Sequence, residues 1–89
     1  MSLSIQASAQ NDRTYLVALS GEFDYTTAQA FREAVSTALH AGNVHAIVVE
    51  LGGVTFMDST GVGTLVVASR ICAELGSAGV RLVGEPVVV

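Results

Sequence analysis

The residues predict an α/β domain in two layers, a mixed sheet of about four strands with two helices, in the order ββαβαβ. Three observations carry this prediction. Apolar and polar residues alternate with period two from Leu3 and again from Thr14. Two later segments, each closed by a glycine, place apolar residues at helical spacing. A continuous apolar run, Ala46-Ile47-Val48-Val49, lies between those segments, and Val80-Arg81-Leu82-Val83 follows the second.

Leu3, Ile5 and Ala7 alternate with Ser4, Gln6 and Ser8, the pattern of a half-buried edge strand. Gln10-Asn11-Asp12-Arg13 reads as a turn. Thr14 to Leu19 is a second strand with Tyr15, Val17 and Leu19 on one face, and the short polar connection makes the pair an antiparallel hairpin. Ser20-Gly21-Glu22-Phe23-Asp24-Tyr25 breaks the alternation. A helix is expected from about Thr26, with Thr26 and Gln29 as a capping box. Phe31, Val35, Ala38 and Leu39 share its inner face, Gln29, Arg32, Glu33 and Ser36 fall largely opposite, and Gly42 ends it. The apolar run from Val44 to Leu51 suits a central strand. Gly52 and Gly53 then loosen the chain before Val54-Thr55-Phe56-Met57. A second helix begins near Asp58 or Ser59, turns Val62, Leu65, Val66, Ser69 and Cys72 or Ala73 inward, and stops at Gly76. Strand–helix–strand steps require parallel neighbours with right-handed crossovers, so the initial hairpin makes the sheet mixed.

Length and composition narrow the function. The 89 residues support one domain spanning 1–89. Hydrophobic residues make up 51% and charged residues 13%, so much of the chain must fill a core or cover a partner. The net charge is −4, there is no lysine, and Arg13, Arg32, Arg70 and Arg81 are scattered. Nucleic acid as a partner is therefore not expected, and an anionic membrane surface is a poor fit. No apolar run is long enough to span a bilayer, and Met1 to Gln6 lacks the pattern of a signal peptide. Cys72 is the only cysteine, which rules out an internal disulfide and suits a cytoplasmic location. His40 and His45 do not make a ligand set, so neither a metal nor a cofactor is expected. No base lies near Ser59 in sequence, and Gly61-Val62-Gly63 lacks the lysine of a phosphate-binding loop. Hydrolase chemistry is accordingly a poor reading, and no catalytic residue is assigned.

Two segments carry a resemblance. Ser20-Gly21-Glu22-Phe23-Asp24 resembles the GELD-type turn of STAS domains, and Phe56-Met57-Asp58-Ser59-Thr60-Gly61-Val62-Gly63 resembles their FMDSSGLG or FMDSTGLG motif. The second motif is the more specific of the two. Their spacing and the order of elements agree as well, and the likeness is strongest to the bacterial anti-sigma-factor antagonists, over nearly the whole chain. The resemblance implies that Ser59, directly after the motif aspartate, is phosphorylated. It implies that the unphosphorylated antagonist sequesters an anti-sigma factor that is also its serine kinase, so that a sigma factor is freed. Phosphorylation breaks that complex, and a metal-dependent serine phosphatase on another chain restores it. An alternative within the same family is a structural subunit of a lipid-transport ABC system or a signalling scaffold. Family members usually continue with at least one more helix, whereas this chain stops at Glu85-Pro86-Val87-Val88-Val89. A C-terminal truncation, a short natural variant and a domain completed by a neighbour all fit that difference. The short apolar tail leaves pairing into a homodimer or strand exchange open.

Each motif residue has a structural and a functional reading. A hydroxyl at a helix start is ordinarily a cap, and the surrounding motif makes Ser59 a phospho-acceptor. Unpaired N–H groups and the dipole of a first turn can receive a phosphate there. Phosphate adds nearly two negative charges, and a penalty of about 3 kcal/mol weakens a complex more than a hundredfold. Asp58 caps the helix or orients the Ser59 hydroxyl. Thr60 is a structural hydroxyl or a second acceptor. Gly61 and Gly63 serve tight helix–sheet packing or the close approach of a partner backbone. Asp24 caps the first helix or flanks the partner surface, its loop sharing one edge with that of Ser59.

Overall fold

The computed structural model describes residues 2–10, 13–40, 44–74 and 80–84. Strand β1 (Leu3–Ala9) and strand β2 (Thr14–Phe23) form an antiparallel hairpin. Helix α1 (Ala28–His40) leads to strand β3 (Ala46–Met57), which runs parallel to β2. Helix α2 (Ser59–Glu74) leads to strand β4 (Val80–Val83), parallel to β3. The spatial order is β1-β2-β3-β4, the four-stranded mixed sheet and ββαβαβ sequence of elements that the residues predict.

One face of this sheet meets both helices. Val17, Leu19, Ile47, Val49 and Leu51 project from β2 and β3 into a core that Phe31, Val35 and Ala38 of α1 and Leu65, Ala68 and Cys72 of α2 close. Phe23 and Phe31 stack at a 5.1 Å centroid separation with rings tilted by 47°, a favourable aromatic geometry. Leu3 and Ile5 of the edge strand pack against this core half-buried, whereas Ala7 is exposed.

Both central strands run longer than their periodicity suggests. β2 continues through Ser20, Gly21 and Glu22 to Phe23 instead of ending at Leu19. Gly52 and Gly53 lie inside β3. The register against β2 steps from Ala18↔Glu50 to Ser20↔Gly53, then from Gly21↔Val54 to Glu22↔Phe56. Each step adds one residue to β3, which is the signature of a bulge. Buried positions in β3 therefore change from a spacing of two (Ile47, Val49, Leu51) to a spacing of three (Leu51, Val54, Met57). An alanine side chain at Gly53 would sit 2.9 Å from the Leu19 carbonyl oxygen, so the second glycine lets the bulged strand lie close to β2.

The helix starts and faces also differ from expectation. α1 begins at Ala28, and the Thr26–Gln29 capping box does not form. The Gln29 amide instead joins Arg32 and Glu33 on the exposed side. α2 turns Gly61, Thr64, Leu65, Ala68 and Cys72 inward, while Val62, Val66, Ser69 and Ala73 are exposed. The helix is apolar on most sides, so hydrophobicity alone does not select its face. Gly61 marks the inner face, because a Cβ there would lie 2.6 Å from the Phe23 carbonyl oxygen. Val62 and Val66 instead line an open cleft of about 550 Å³ toward Leu82 of β4. Asn11, Asp12, Gly42, Gly76 and the tail Glu85–Val89, on which other expectations fall, lie outside the described residues.

Candidate functional site

The two bulges set the position of the site. They bring Phe23 level with Met57, so two parallel neighbours end together at their carboxyl ends. In open α/β sheets this is where loops gather into sites. The Asp58 N–H reaches the Phe23 carbonyl oxygen at 3.4 Å and joins the two exits directly. The loops carrying Asp24 and Ser59 therefore share one end of the sheet.

Asp24 caps the turn that leads into α1. Its carbonyl accepts from the Ala28 N–H at 2.9 Å, and its Oδ1 accepts from the Thr26 N–H at 2.9 Å and the Thr26 hydroxyl at 2.6 Å. Thr27 reciprocates: its Oγ1 accepts from the Asp24 N–H at 3.0 Å and donates to the Glu22 carbonyl at 2.8 Å. This is half of a capping box, two residues upstream of the expected one: Thr27 returns to the Asp24 N–H as Glu or Gln usually does, while the Asp24 carboxylate takes the Thr26 N–H and the Thr27 N–H donates to the Asp24 carbonyl at 3.2 Å. Asp24 is only 1% exposed, and its Oδ2 is buried with no hydrogen-bond partner among the described residues. The Thr26 hydroxyl holds its carboxyl below the ordinary value, against the opposing effect of burial and with further help from the Thr26 and Thr27 backbone.

Asp58 caps α2 and also reaches outside it. Its Oδ1 accepts from the Gly61 N–H at 2.9 Å, and its carbonyl accepts from the Val62 N–H at 3.1 Å. Its Oδ2 accepts from the Tyr25 N–H at 3.3 Å, across 33 residues of sequence. One carboxylate thus joins the loops before both helices. Its hydrogen bonds run to the Gly61 and Tyr25 backbone, and none to the Ser59 hydroxyl is found.

Ser59, the first residue of α2, is exposed, and among the described residues no hydrogen bond engages its hydroxyl. Thr60 is exposed beside it, and its carbonyl accepts from the Thr64 hydroxyl at 2.7 Å. Gly61 is buried. A Cβ there would lie 2.6 Å from the Phe23 carbonyl oxygen and 2.8 Å from Met57 Cγ, so the residue serves helix–sheet packing. Gly63 faces open space instead.

Sequence reasoning missed Tyr25 and Thr27. Thr27 could have been found from the Asp-x-x-Thr spacing, which has capping-box form. Tyr25 is 74% exposed, an unusual position for a large aromatic in a chain with this much core to fill. Cys72 is buried in the core, where desolvation raises its thiol pKa. Among the described residues no group of three or more histidine, cysteine or acidic side chains is arranged to hold a metal, and no helix is long and apolar enough to cross a membrane.

The site thus sets an Asp-Ser-Thr-Gly helix start beside a capped acidic loop, on a parallel βαβαβ unit with an antiparallel first strand. The STAS family model matches residues 6–84, and the chain belongs to that family. An anti-sigma F factor antagonist of Lysinibacillus sphaericus is 40% identical over 50 residues, which are 56% of this chain and 43% of that protein. The match thus spans less than half the length of that curated relative. The anti-sigma factor antagonist SpoIIAA in its unphosphorylated form is 28% identical with a TM-score of 0.75, over 94% of this chain and 71% of that one. The Bacillus cell fate determinant SpoIIAA in its phosphorylated form is also 28% identical, with a TM-score of 0.72, over 94% of this chain and 74% of that one.

Proposed function

We propose that this chain is an anti-sigma-factor antagonist, a binding module without chemistry of its own, switched by phosphorylation of Ser59. Unphosphorylated, it sequesters an anti-sigma factor that is also its serine kinase. Phosphorylation dissociates the pair, and a metal-dependent serine phosphatase resets it. The observation that carries this reading is the exposed, unengaged Ser59 hydroxyl at the start of α2, in a STAS domain with antagonist relatives. The likeness to both the unphosphorylated and the phosphorylated relative supports a switch that leaves the fold in place.

The surface around Ser59 suits such a switch. Asp24 and Asp58 already bring negative charge to this end of the sheet. Val62, one turn along α2 from Ser59, is 40% exposed and apolar. A partner that covers Ser59 and Val62 together must bury a phosphate against apolar surface, which costs desolvation. Asp24, Thr60 and Gly61 take supporting parts: the buried Asp24 holds the loop beside the contact, Thr60 lies in it, and Gly61 seats the helix.

The test is binding of the wild-type chain and Ser59→Asp to the anti-sigma factor of the source organism, measured by calorimetry. The reading expects an affinity at least about a hundredfold lower for Ser59→Asp, corresponding to about 3 kcal/mol. Equal affinities contradict it.

A further inference from the structure

We propose that Tyr25 is the anchor by which the protein partner that engages Ser59 recognises this particular chain. The inference rests on the antagonist reading and adds to it a specificity-determining residue outside the phosphorylated motif. Its basis is placement. The Tyr25 N–H is bonded to Asp58 Oδ2, and Asp58 immediately precedes Ser59. Summed through that 3.3 Å bond, the Asp58 side chain and one peptide unit, the Tyr25 and Ser59 Cα atoms lie no more than about 13 Å apart. A standard interface covers about 800 Å² on each partner, a disc of about 16 Å radius. A kinase that brings a phosphate donor to the Ser59 hydroxyl, or a partner centred on it, therefore covers Tyr25 as well.

The side chain has no employment in the fold. Tyr25 is 74% exposed, its phenol makes no hydrogen bond among the described residues, and its ring makes no aromatic contact among them. Its backbone, by contrast, is held. Asp58 fixes its N–H, and the Asp24 cap fixes the residue before it. An exposed aromatic on a fixed backbone loses little freedom on binding, and tyrosine is among the residues that most often dominate interface energy. The matching feature on the partner is a largely apolar pocket with a polar group at its floor to meet the phenol.

The test compares the full wild-type chain, Tyr25→Ala, Tyr25→Phe and Ser59→Asp, with the source organism's anti-sigma factor kinase as the probe. Binding kinetics and Ser59 phosphorylation are measured in parallel. Tyr25→Ala is expected to weaken binding about 10- to 100-fold, mainly through faster dissociation. In phosphorylation it should raise KM with kcat nearly unchanged, because the ring is remote from the reacting atoms. Tyr25→Phe should recover the part of the affinity that the ring supplies and still bind more weakly than wild type, because it leaves the polar group of the pocket unpaired. The urea midpoint of Tyr25→Ala should equal that of wild type, which separates recognition from folding. A Tyr25→Ala variant that binds within twofold of wild type, while Ser59→Asp does not bind, overturns the anchor and leaves the antagonist reading standing. A wild-type chain that neither binds the kinase nor accepts phosphate overturns both.

Discussion

Two glycines two residues apart in α2 should respond in opposite directions to the same substitution. Helix propensity favours alanine over glycine by about 1 kcal/mol at either position. At Gly63 nothing lies within 4 Å of the added Cβ, so Gly63→Ala should stabilise the fold by about 0.5–1 kcal/mol. At Gly61 the Cβ would lie 2.6 Å from the Phe23 carbonyl oxygen and 2.8 Å from Met57 Cγ. Relieving the first contact requires a shift of roughly 0.7 Å to reach an ordinary C···O distance of about 3.3 Å. That oxygen is backbone at the end of β2, where the strand pairs with β3, so no rotamer change can move it. The shift must come from α2, and it strains the Asp58 N–H bond to the same carbonyl. Overpacking costs about 1–3 kcal/mol, and a rigid backbone obstacle belongs in the upper half of that range. After the gain in propensity, Gly61→Ala should lose about 1–2 kcal/mol. With a urea m-value of about 1 kcal/mol/M for a small domain, the two midpoints should differ by about 2 M. A Gly61→Ala midpoint at or above wild type would refute the close seating of α2 on β2.

The caps carry four further outcomes. Asp58→Asn keeps one side-chain acceptor for two N–H groups and should cost about 0.5–1 kcal/mol, whereas Asp58→Ala loses both and should cost about 1–3 kcal/mol. Hydrogen exchange at the Tyr25 amide should quicken in Asp58→Ala, and an unchanged rate there contradicts the bridge between the loops. Thr27→Val leaves the Glu22 carbonyl and the Asp24 N–H without their buried partner and should cost about 1–3 kcal/mol in chemical denaturation, while Thr27→Ser should stay close to wild type. Asp24 is depressed in the folded state, so its contribution to stability is complete above its unfolded pKa of about 4 and is lost as pH falls through the lower folded value. Urea midpoints taken from pH 7 down to pH 3 should therefore fall less steeply for Asp24→Asn than for wild type, and parallel curves contradict the assignment.

Much of the fold was legible because periodicity reports burial. The inner face of α1 reads correctly from Phe31, Val35 and Ala38, since its outer face is polar. β3 was harder. Two bulges change its buried spacing from two to three, and a strand that breaks its own period looks like two segments joined by glycines. The tail of β2 hid for another reason: Ser20, Gly21 and Glu22 are unlike strand residues, yet Gly21 at φ 108° and the β3 pairing carry the chain through. The inner face of α2 was not legible, because apolar residues lie on most sides of the helix and Val62, Val66 and Val67 are exposed. At the site, Asp58 as a cap and the shared edge with Asp24 followed from motif and topology. The Asp58–Tyr25 bond spans 33 residues, and no local pattern encodes it.

The central claim, that Ser59 is the switch, is met most directly by phosphorylation mapping. The full chain is incubated with the anti-sigma factor kinase of its source organism and magnesium ATP, then analysed by intact mass and peptide fragmentation. The account predicts one added phosphoryl group located on Ser59, absent from Ser59→Ala and retained in Thr60→Ala. Phosphate on Thr60 instead, or a wild-type chain that stays unmodified while the kinase phosphorylates a known antagonist, would contradict it.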